Sequence, residues 1–462
     1  MTGHSTMTTS PKPGAGLVPA LGMTAPIKAG DLAVVVGAAT SGLAAVRLLA
    51  ALGVRVRLLD KKELSADSRA MMQTLDVEAL CGDHSPEQFA GADLVVTSPG
   101  VPMSVLRPLL DAAGNPPLMG EMELALHYVN EPVLAVTGSS GKTTTVSLAA
   151  AMLEAAGKKV FLGGNIGTPL SDYVLGQDKA DVLVLELSSF QLQNCASLRP
   201  RAAVFLNLTA NHLDQHKDMA EYADAKFSLF ARQTETDTAI MPRELVQEYQ
   251  RRGFAGRLEV LTDRGRFSSM RLMGGHNAVN AEAAYLACRE FGVSEADAAR
   301  AVAAFEPLRH RLERAGTVNG VLYVNDSKCT TVESMRAALS SFDAPVLLLA
   351  GGKFKGGDLA ALVPLLQKRV KAVALFGASR DIFERAWQGA LPLTWDAELP
   401  AALARLTRLA LPGDVVLLSP GTASYDLYTN YMARGDHFCS LVREMAQQAG
   451  QAADLPPQKA RS

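Results

Sequence analysis

Thr137-Gly138-Ser139-Ser140-Gly141-Lys142-Thr143-Thr144 gathers two glycines, several small hydroxyl side chains and one lysine into a single short run. Such a run suits a polyanion. Glycines let consecutive backbone N–H groups close around phosphate oxygens, and a helix N-terminus behind them adds positive potential. Lys142 can reach terminal phosphates, and the Thr143 hydroxyl can sit on Mg²⁺. The spacing departs from the general pattern, in which the first glycine would stand at Val136; here it is Gly138. The alternative is an ordinary strand-to-helix turn that happens to contain Gly-Lys-Thr.

The flanking residues supply the elements such a loop needs. Val133 to Val136 is an apolar run of strand type. After the loop, Val146, Leu148, Ala149, Met152 and Leu153 recur with helical periodicity, and Gly157 is a C-terminal stop. Downstream, Val182-Leu-Val-Leu is an apolar strand that ends in Glu186, a place where a phosphate-loop domain commonly keeps a metal-holding acid. An acid on a solvated rim would look the same. Gly163-Gly-Asn165-Ile-Gly167 reads as a loop that a ligand backbone can approach, or as a connecting turn. Ala203 to Asn207 is another buried strand, and His212 follows just past its C-terminal end, where open α/β sheets bind ligands. Lys226 lies in a helix expected over 218–230, where a lysine is normally a solvated charge. Asn277 and Asn280 share one face at the start of a further helix, as caps or as base-recognising groups.

The regions on either side repeat the α/β pattern. Leu32 to Val36, a Gly37–Gly42 turn, an Ala/Leu-rich helix and a second strand ending at Asp60 outline half of a Rossmann fold. Its middle glycine is replaced by Ala39, which weakens the dinucleotide reading. A third strand runs into Ser98-Pro99-Gly100, a ligand-facing turn or plain scaffold. Beyond residue 309, four strands end in polar loops: Asn325 to Thr331, Gly351 to Asp358, the turn at Gly377, and Ser419 to Ser424. That arrangement predicts a second doubly wound sheet with a cleft lined by Arg311, Asp326, Lys328, Lys355 and Ser424.

Composition agrees with a multidomain globular enzyme. The chain has 462 residues, 48% of them hydrophobic, and a formal net charge of −2. Near-neutrality gives no electrostatic reason to expect nucleic acid or membrane partners. Five scattered cysteines without a C-x-x-C pair fit a reduced, cytoplasmic setting. Neither a secretory signal nor an apolar run of membrane-spanning length is present. The expected organisation is a loose tail over 1–30, domains over 31–121, 122–308 and 309–462, and a loose end.

Taken together, TGSSGKTTT, GGNIG, ELSSFQL, NLTANHLD, ADAK, GGHNAVN, HRLE, NDSK, GGKFKGGD and SPGTASYD resemble, in order, the Mur ligase family. The short phosphate loop matches that family. The resemblance implies three α/β domains: Rossmann-like for a UDP-linked substrate, a central ATPase with a parallel sheet, and a Rossmann-like C-terminal domain for an incoming amino acid. It implies ATP-dependent joining of D-glutamate to UDP-N-acetylmuramoyl-L-alanine through an acyl phosphate, in cytoplasmic peptidoglycan precursor synthesis by a monomer. The alternatives are a sister ligase adding another amino acid, or a folylpolyglutamate synthetase; the latter lacks the first domain.

By the same resemblance, Gly138, Ser139, Ser140, Gly141, Lys142, Thr143 and Thr144 hold ATP phosphates, and Asn277, Asn280, Arg311, Asp326 and Lys328 contact the nucleotide. Thr143, Glu186, His212 and Lys226, the last as a carbamate, hold Mg²⁺, expected as two ions that Mn²⁺ can replace. Lys142, Glu186, His212 and Lys226 form the catalytic set. Ser41, Asp60, Ser98, Pro99, Gly100 and Asn165 fall on the UDP-substrate side; Thr330, Lys355, Ser424 and Tyr431 fall on the D-glutamate side. Lys353 stands where the family often has an acid, Thr331 where asparagine is common, and Tyr431 where phenylalanine is usual. These three concern amino-acid selectivity.

Overall fold

The computed structural model describes residues 17–209, 216–267, 275–306 and 309–450. The chain divides into two compact units, one of residues 1–266 with 280–301 and one of 267–279 with 302–462. Two sheets lie in the first unit and one in the second.

The first sheet contains β1 (Leu32–Val36), β2 (Arg55–Asp60), β3 (Glu78–Cys81), β4 (Leu94–Thr97) and β5 (Leu118–Gly120), all parallel, in the order β3-β2-β1-β4-β5. The second contains β6 (Val133–Thr137), β7 (Val160–Gly164), β8 (Val182–Glu186), β9 (Ala202–Phe205), β10 (Thr238–Pro242) and β11 (Arg257–Leu261), again all parallel, in the order β11-β10-β9-β6-β8-β7. Every residue of β6, β8 and β9 is buried. Helices cover both faces of a parallel sheet, so its central strands read as unbroken apolar runs rather than alternating ones. β6 lies between β8 and β9, with Val136 opposite Glu186 and Thr137 opposite Phe205. Three strand ends therefore meet at one point, where the strand order reverses and open α/β sheets bind ligands.

The second unit holds β12 (Glu313–Val318), β13 (Val321–Asn325), β14 (Val346–Gly351), β15 (Val370–Phe376), β16 (Leu393–Asp396) and β17 (Val415–Leu418), in the order β12-β13-β17-β14-β15-β16. Only the β12–β13 pair is antiparallel. Asn319 and Gly320 turn it with φ of 51° and 76°, the left-handed pair that a two-residue hairpin demands.

The expected three-sheet α/β architecture is the one observed, with local differences. Gly163 and Gly164, expected in a loop, close β7, where Gly164 pairs with Glu186. The helix expected over 218–230 stops at Phe227 and finishes as a 3₁₀ turn, Ser228–Phe230. Residues 17–30 do not form the loose tail expected of them. Ala20 and Ile27 are buried, Ala20 N donates to His127 O at 2.7 Å and Leu21 N to Asn130 Oδ1 at 2.8 Å. Short strands such as β3, β5 and β16, with partly exposed residues, carry too weak an apolar pattern to be read in advance.

Candidate active site

The phosphate-type loop leaves β6 and enters the helix Lys142–Ala155. Gly138 and Gly141 have φ of 153° and 82°. A Cβ at Gly141 would stand 2.5 Å from Asn280 Oδ1, so the loop needs glycine for both conformation and space. Asn207, beyond β9, clasps the loop: its Oδ1 accepts from Ser140 N at 2.9 Å and its Nδ2 donates to Ser140 O at 3.2 Å. Ser139 N donates to Asn207 O at 3.0 Å, and Thr209 N donates to Ser139 Oγ at 2.9 Å. Lys142 folds back over the loop, its Nζ donating to Gly138 O at 2.8 Å. Thr143 and Thr144 are buried in the first helical turn. A glycine-framed loop leading into a helix N-terminus, with a lysine ammonium folded against it, is chemically fit for phosphate oxygens.

Glu186 ends β8 beside this loop. Asn165 N donates to Glu186 O at 2.7 Å and Asn165 Nδ2 to Glu186 Oε1 at 2.9 Å. Glu186 Oε2 is buried with no hydrogen-bond partner among the described residues. An orphaned carboxylate oxygen at a strand end is a donor set awaiting a cation or a proton. Lys226 is 1% exposed in the helix Met219–Phe227. Its Nζ donates to Gly138 O at 3.0 Å and Thr137 Oγ1 at 3.4 Å and lies 4.7 Å from the centre of the Tyr222 ring. Burial, then the nearby Lys142 ammonium, push its pKa down to about 6, against Glu186, which favours the charge. Lys142, Glu186 and Lys226 are thus brought together. His212 lies outside the described residues. Among the described residues no three His, Cys, Asp or Glu side chains cluster as metal ligands.

A cleft of about 660 Å³ opens in the same unit, lined among others by Ser41, Asp60, Ser98, Pro99, Gly100 and Asn165. All six residues expected on the UDP-substrate side therefore meet. Asp60 also ties the turn after β1 to the one after β2, accepting from Ala38 N at 2.6 Å and Lys62 N at 2.8 Å. Gly42 is sterically required, since a Cβ there would lie 1.8 Å from Gly37 O. Asn165 joins the cleft to Glu186, a link that sequence spacing did not foretell.

In the second unit, Asp326 follows β13 and is buried. Its Oδ2 accepts from Ser419 Oγ at 2.9 Å and its Oδ1 from Leu312 N at 3.3 Å. Burial raises its pKa to about 7 in spite of these bonds and of Arg311. Lys328 Nζ stands 5.7 Å from the centre of the Tyr431 ring. Lys355 is exposed, with Nζ 5.7 Å from the Tyr425 ring centre. Ser424 is buried beside Ala423, which pairs with Lys353 in both directions: Lys353 N to Ala423 O at 2.9 Å and Ala423 N to Lys353 O at 3.0 Å. Thr330 is half-buried; Thr331 caps the next helix, accepting from Ser334 N at 3.2 Å. Asn277 and Asn280 are both buried on the helix Gly275–Arg289.

Arg434 was not anticipated. It is 0% exposed; Nε donates to Ser327 Oγ at 2.9 Å, and Nη2 to Ser327 O at 2.8 Å and Thr422 O at 3.1 Å. It binds the loop after β13 to the loop after β17. A helical signal existed: Arg434 shares the i, i+4, i+8 stripe of the buried Phe438 and Val442.

Family models match three stretches: the Mur ligase MurD-like N-terminal domain over residues 31–115, the Mur ligase middle domain over 136–262, and the Mur ligase glutamate ligase domain over 310–421. The UDP-N-acetylmuramoylalanine–D-glutamate ligase of Oleidesulfovibrio alaskensis is 57% identical over 420 residues, covering 90% of this chain and 94% of that protein. The chain belongs to the Mur ligase family. Its fold is that of other Mur ligases. The MurF ligase of Thermotoga maritima, solved in complex with ADP, superposes with a TM-score of 0.55 at 18% identity over 91% of this chain and 96% of that one. The UDP-N-acetylmuramate–alanine ligase MurC of the same organism gives 0.55 at 15% identity over 90% and 99%.

Proposed function

We propose that this Mur ligase joins D-glutamate to UDP-N-acetylmuramoyl-L-alanine, with ATP converted to ADP and phosphate, in cytoplasmic peptidoglycan precursor synthesis. The observation that carries the reading is the match, at 57% identity over 90% of this chain and 94% of the other, to a relative named for that reaction. The geometry supports it. A phosphate cradle, an orphaned carboxylate and a near-neutral buried lysine share one strand-end site, and a cleft lined by the residues expected to hold the UDP-linked substrate lies in the same unit.

A free carboxylate resists amines because its charge repels them and its leaving group would be oxide. In the proposed reaction the alanyl carboxylate attacks the γ-phosphorus of ATP, releasing ADP and forming an acyl phosphate. The amine of D-glutamate then attacks the carbonyl carbon, phosphate leaves with the C–O electron pair, and the amine loses a proton. Lys142 and the loop N–H groups hold phosphate oxygens and neutralise their charge, since phosphoryl transfer needs positioning and electrostatics more than covalent help. Thr143, Glu186, His212 and carbamylated Lys226 would hold Mg²⁺, which supplies further charge neutralisation. A buried amine with a pKa near 6 is mostly neutral at physiological pH, so its nitrogen can bond to the carbon of CO₂ and lose one proton, replacing a neutral amine with an anionic carbamate. Arg311, Asp326, Lys328, Asn277 and Asn280 are assigned to the nucleotide, and Thr330, Lys355, Ser424 and Tyr431 to D-glutamate.

The test is phosphate release from ATP and UDP-N-acetylmuramoyl-L-alanine with D-glutamate, L-alanine, L-lysine or diaminopimelate. Turnover with D-glutamate alone is expected, and Lys142→Ala should abolish ADP formation. Equal turnover with another amino acid would refute the assignment.

A further inference from the structure

His84 lines the same cleft as Ser41 and Asp60, although no sequence pattern singled it out. It stands just beyond β3, at one edge of the first sheet, whose order is β3-β2-β1-β4-β5. The opposite edge meets the segment after β8, since Gly120 N, at the end of β5, donates to Asn194 O at 3.0 Å. Neighbouring strands stand about 4.8 Å apart, so the His84 end of the cleft is the one farthest from Glu186. The loop that carries His84 is held on both sides. Gly82, with φ of 108°, donates its N–H to Asp60 O at 3.0 Å, and Ser85 N donates to Gln88 Oε1 at 3.1 Å. The residue is half-buried, and its Nδ1 is buried with no hydrogen-bond partner among the described residues. An N–H shut away without a partner is rarer than an unused acceptor, so the proton belongs on Nε2, at the open edge of the ring. Burial, then Lys61, hold the imidazole below its ordinary pKa against Asp60 and Asp83, so it is neutral at physiological pH.

We propose that His84 reads the base of the UDP-linked substrate, its Nε2–H donating to uracil O4. This rests on the ligase reading above. The order of groups along the cleft supplies the argument. The carboxylate to be activated belongs near Lys142 and Glu186, and Asn165 joins that point to the cleft. The helix Thr40–Ala51 presents its N-terminus to the cleft through Thr40 and Ser41, a place for the diphosphate. The base lies on the other side of the diphosphate from the sugar acid, and so falls toward Asp60, Lys61 and His84. Uracil offers a carbonyl oxygen there, where cytosine would bring an amino group against the imidazole N–H. A neutral donor does little for the phosphates, so its contribution is to selectivity.

Calorimetry on the full chain compares UDP with CDP, with ADP at saturation to occupy the phosphate loop. Wild type should bind UDP about tenfold more tightly than CDP. In His84→Ala that ratio should shrink to about twofold. In His84→Glu it should invert, because a carboxylate accepts from the cytosine amino group, and its added charge acts equally on both ligands. ADP affinity, measured first, should match wild type in both variants and reports an intact fold. The proposal is overturned if wild type binds UDP and CDP alike, if alanine keeps the wild-type ratio, or if glutamate prefers UDP as wild type does. A wild type that neither binds UDP nor consumes UDP-N-acetylmuramoyl-L-alanine would overturn the ligase reading instead.

Discussion

Among the described residues each compact unit sinks one lysine or arginine out of water, and the two fare differently. Lys226, in the first, falls to a pKa of about 6; Arg434, in the second, falls only to about 10. Burial is the leading cause for both. The separation comes from chemistry. An ammonium is a compact charge on a group that gives up its proton readily, whereas a guanidinium delocalises its charge and starts from a far higher pKa. The surroundings widen the gap. Lys226 has two acceptors and a repelling Lys142, while Arg434 spreads three hydrogen bonds over Ser327 and Thr422. One site leaves a lysine largely unprotonated at neutral pH. The other keeps a fixed charge whose fork ties two loops together.

The largest effect should come from exchanging the type of cation in the first unit. Lys226→Arg keeps a positive charge and cannot form a carbamate. Turnover should fall by roughly a thousandfold or more, as when a preorganised charge-stabilising group is lost. Lys226→Ala should fall as far, yet recover in part with added acetate or formate, whose carboxylate can enter the vacated space. Steady-state ADP release measures both. Near-wild-type turnover in Lys226→Arg would erase the distinction between the two buried cations.

The converse exchange, Arg434→Lys, should act mainly on stability. A lysine cannot span Ser327 Oγ, Ser327 O and Thr422 O, and leaves buried acceptors unmatched. Breaking such a network costs about 3 kcal/mol, or roughly 6–12 °C in the melting of the second unit. Calorimetry reads this directly. An unchanged transition would mean that the cost of burying Arg434 Nη1, which has no hydrogen-bond partner among the described residues, offsets what the fork contributes.

These two residues also mark what was legible in the sequence. The phosphate loop was, because Gly138, Gly141 and Lys142 lie within a few residues between an apolar strand and a helix. Glu186 was, because it closes a fully apolar run. The meeting of Ser41, Asp60, Ser98 and Asn165 around one cleft was legible only through family resemblance, since no local pattern links residues so far apart in sequence. Lys226 alone looked like a surface charge; its burial depends on β6 and on Tyr222, one helical turn away. Arg434 was missed for the same reason, although its stripe with Phe438 and Val442 was open to reading. Helical periodicity locates a buried face, but a charged residue on that face is discounted unless its partners are known. Those partners, Ser327 and Thr422, come from other strand ends.

The smallest expected effect extends the comparison to carboxyl groups. In the second unit Asp326 is pushed up to about 7 by burial, so in the ligand-free protein it stays protonated well above the ordinary aspartate range. The unfolded chain ionises near the ordinary value. Between the two, the folded state binds the extra proton, so stability is greatest below the unfolded pKa and declines as pH rises toward 7. Relative to Asp326→Asn, which cannot ionise, the wild type should lose about 2 kcal/mol between pH 5 and 6.5, with no further divergence above roughly pH 7.5. Urea unfolding followed in the second unit across that range gives the slope. Parallel pH profiles for the two proteins would mean that Ser419, Leu312 N and Arg311 already hold the buried carboxylate in its charged form. In that case the Asp326 site resembles Arg434, a fixed charge with adequate partners, and Lys226 alone would have its protonation state set by burial.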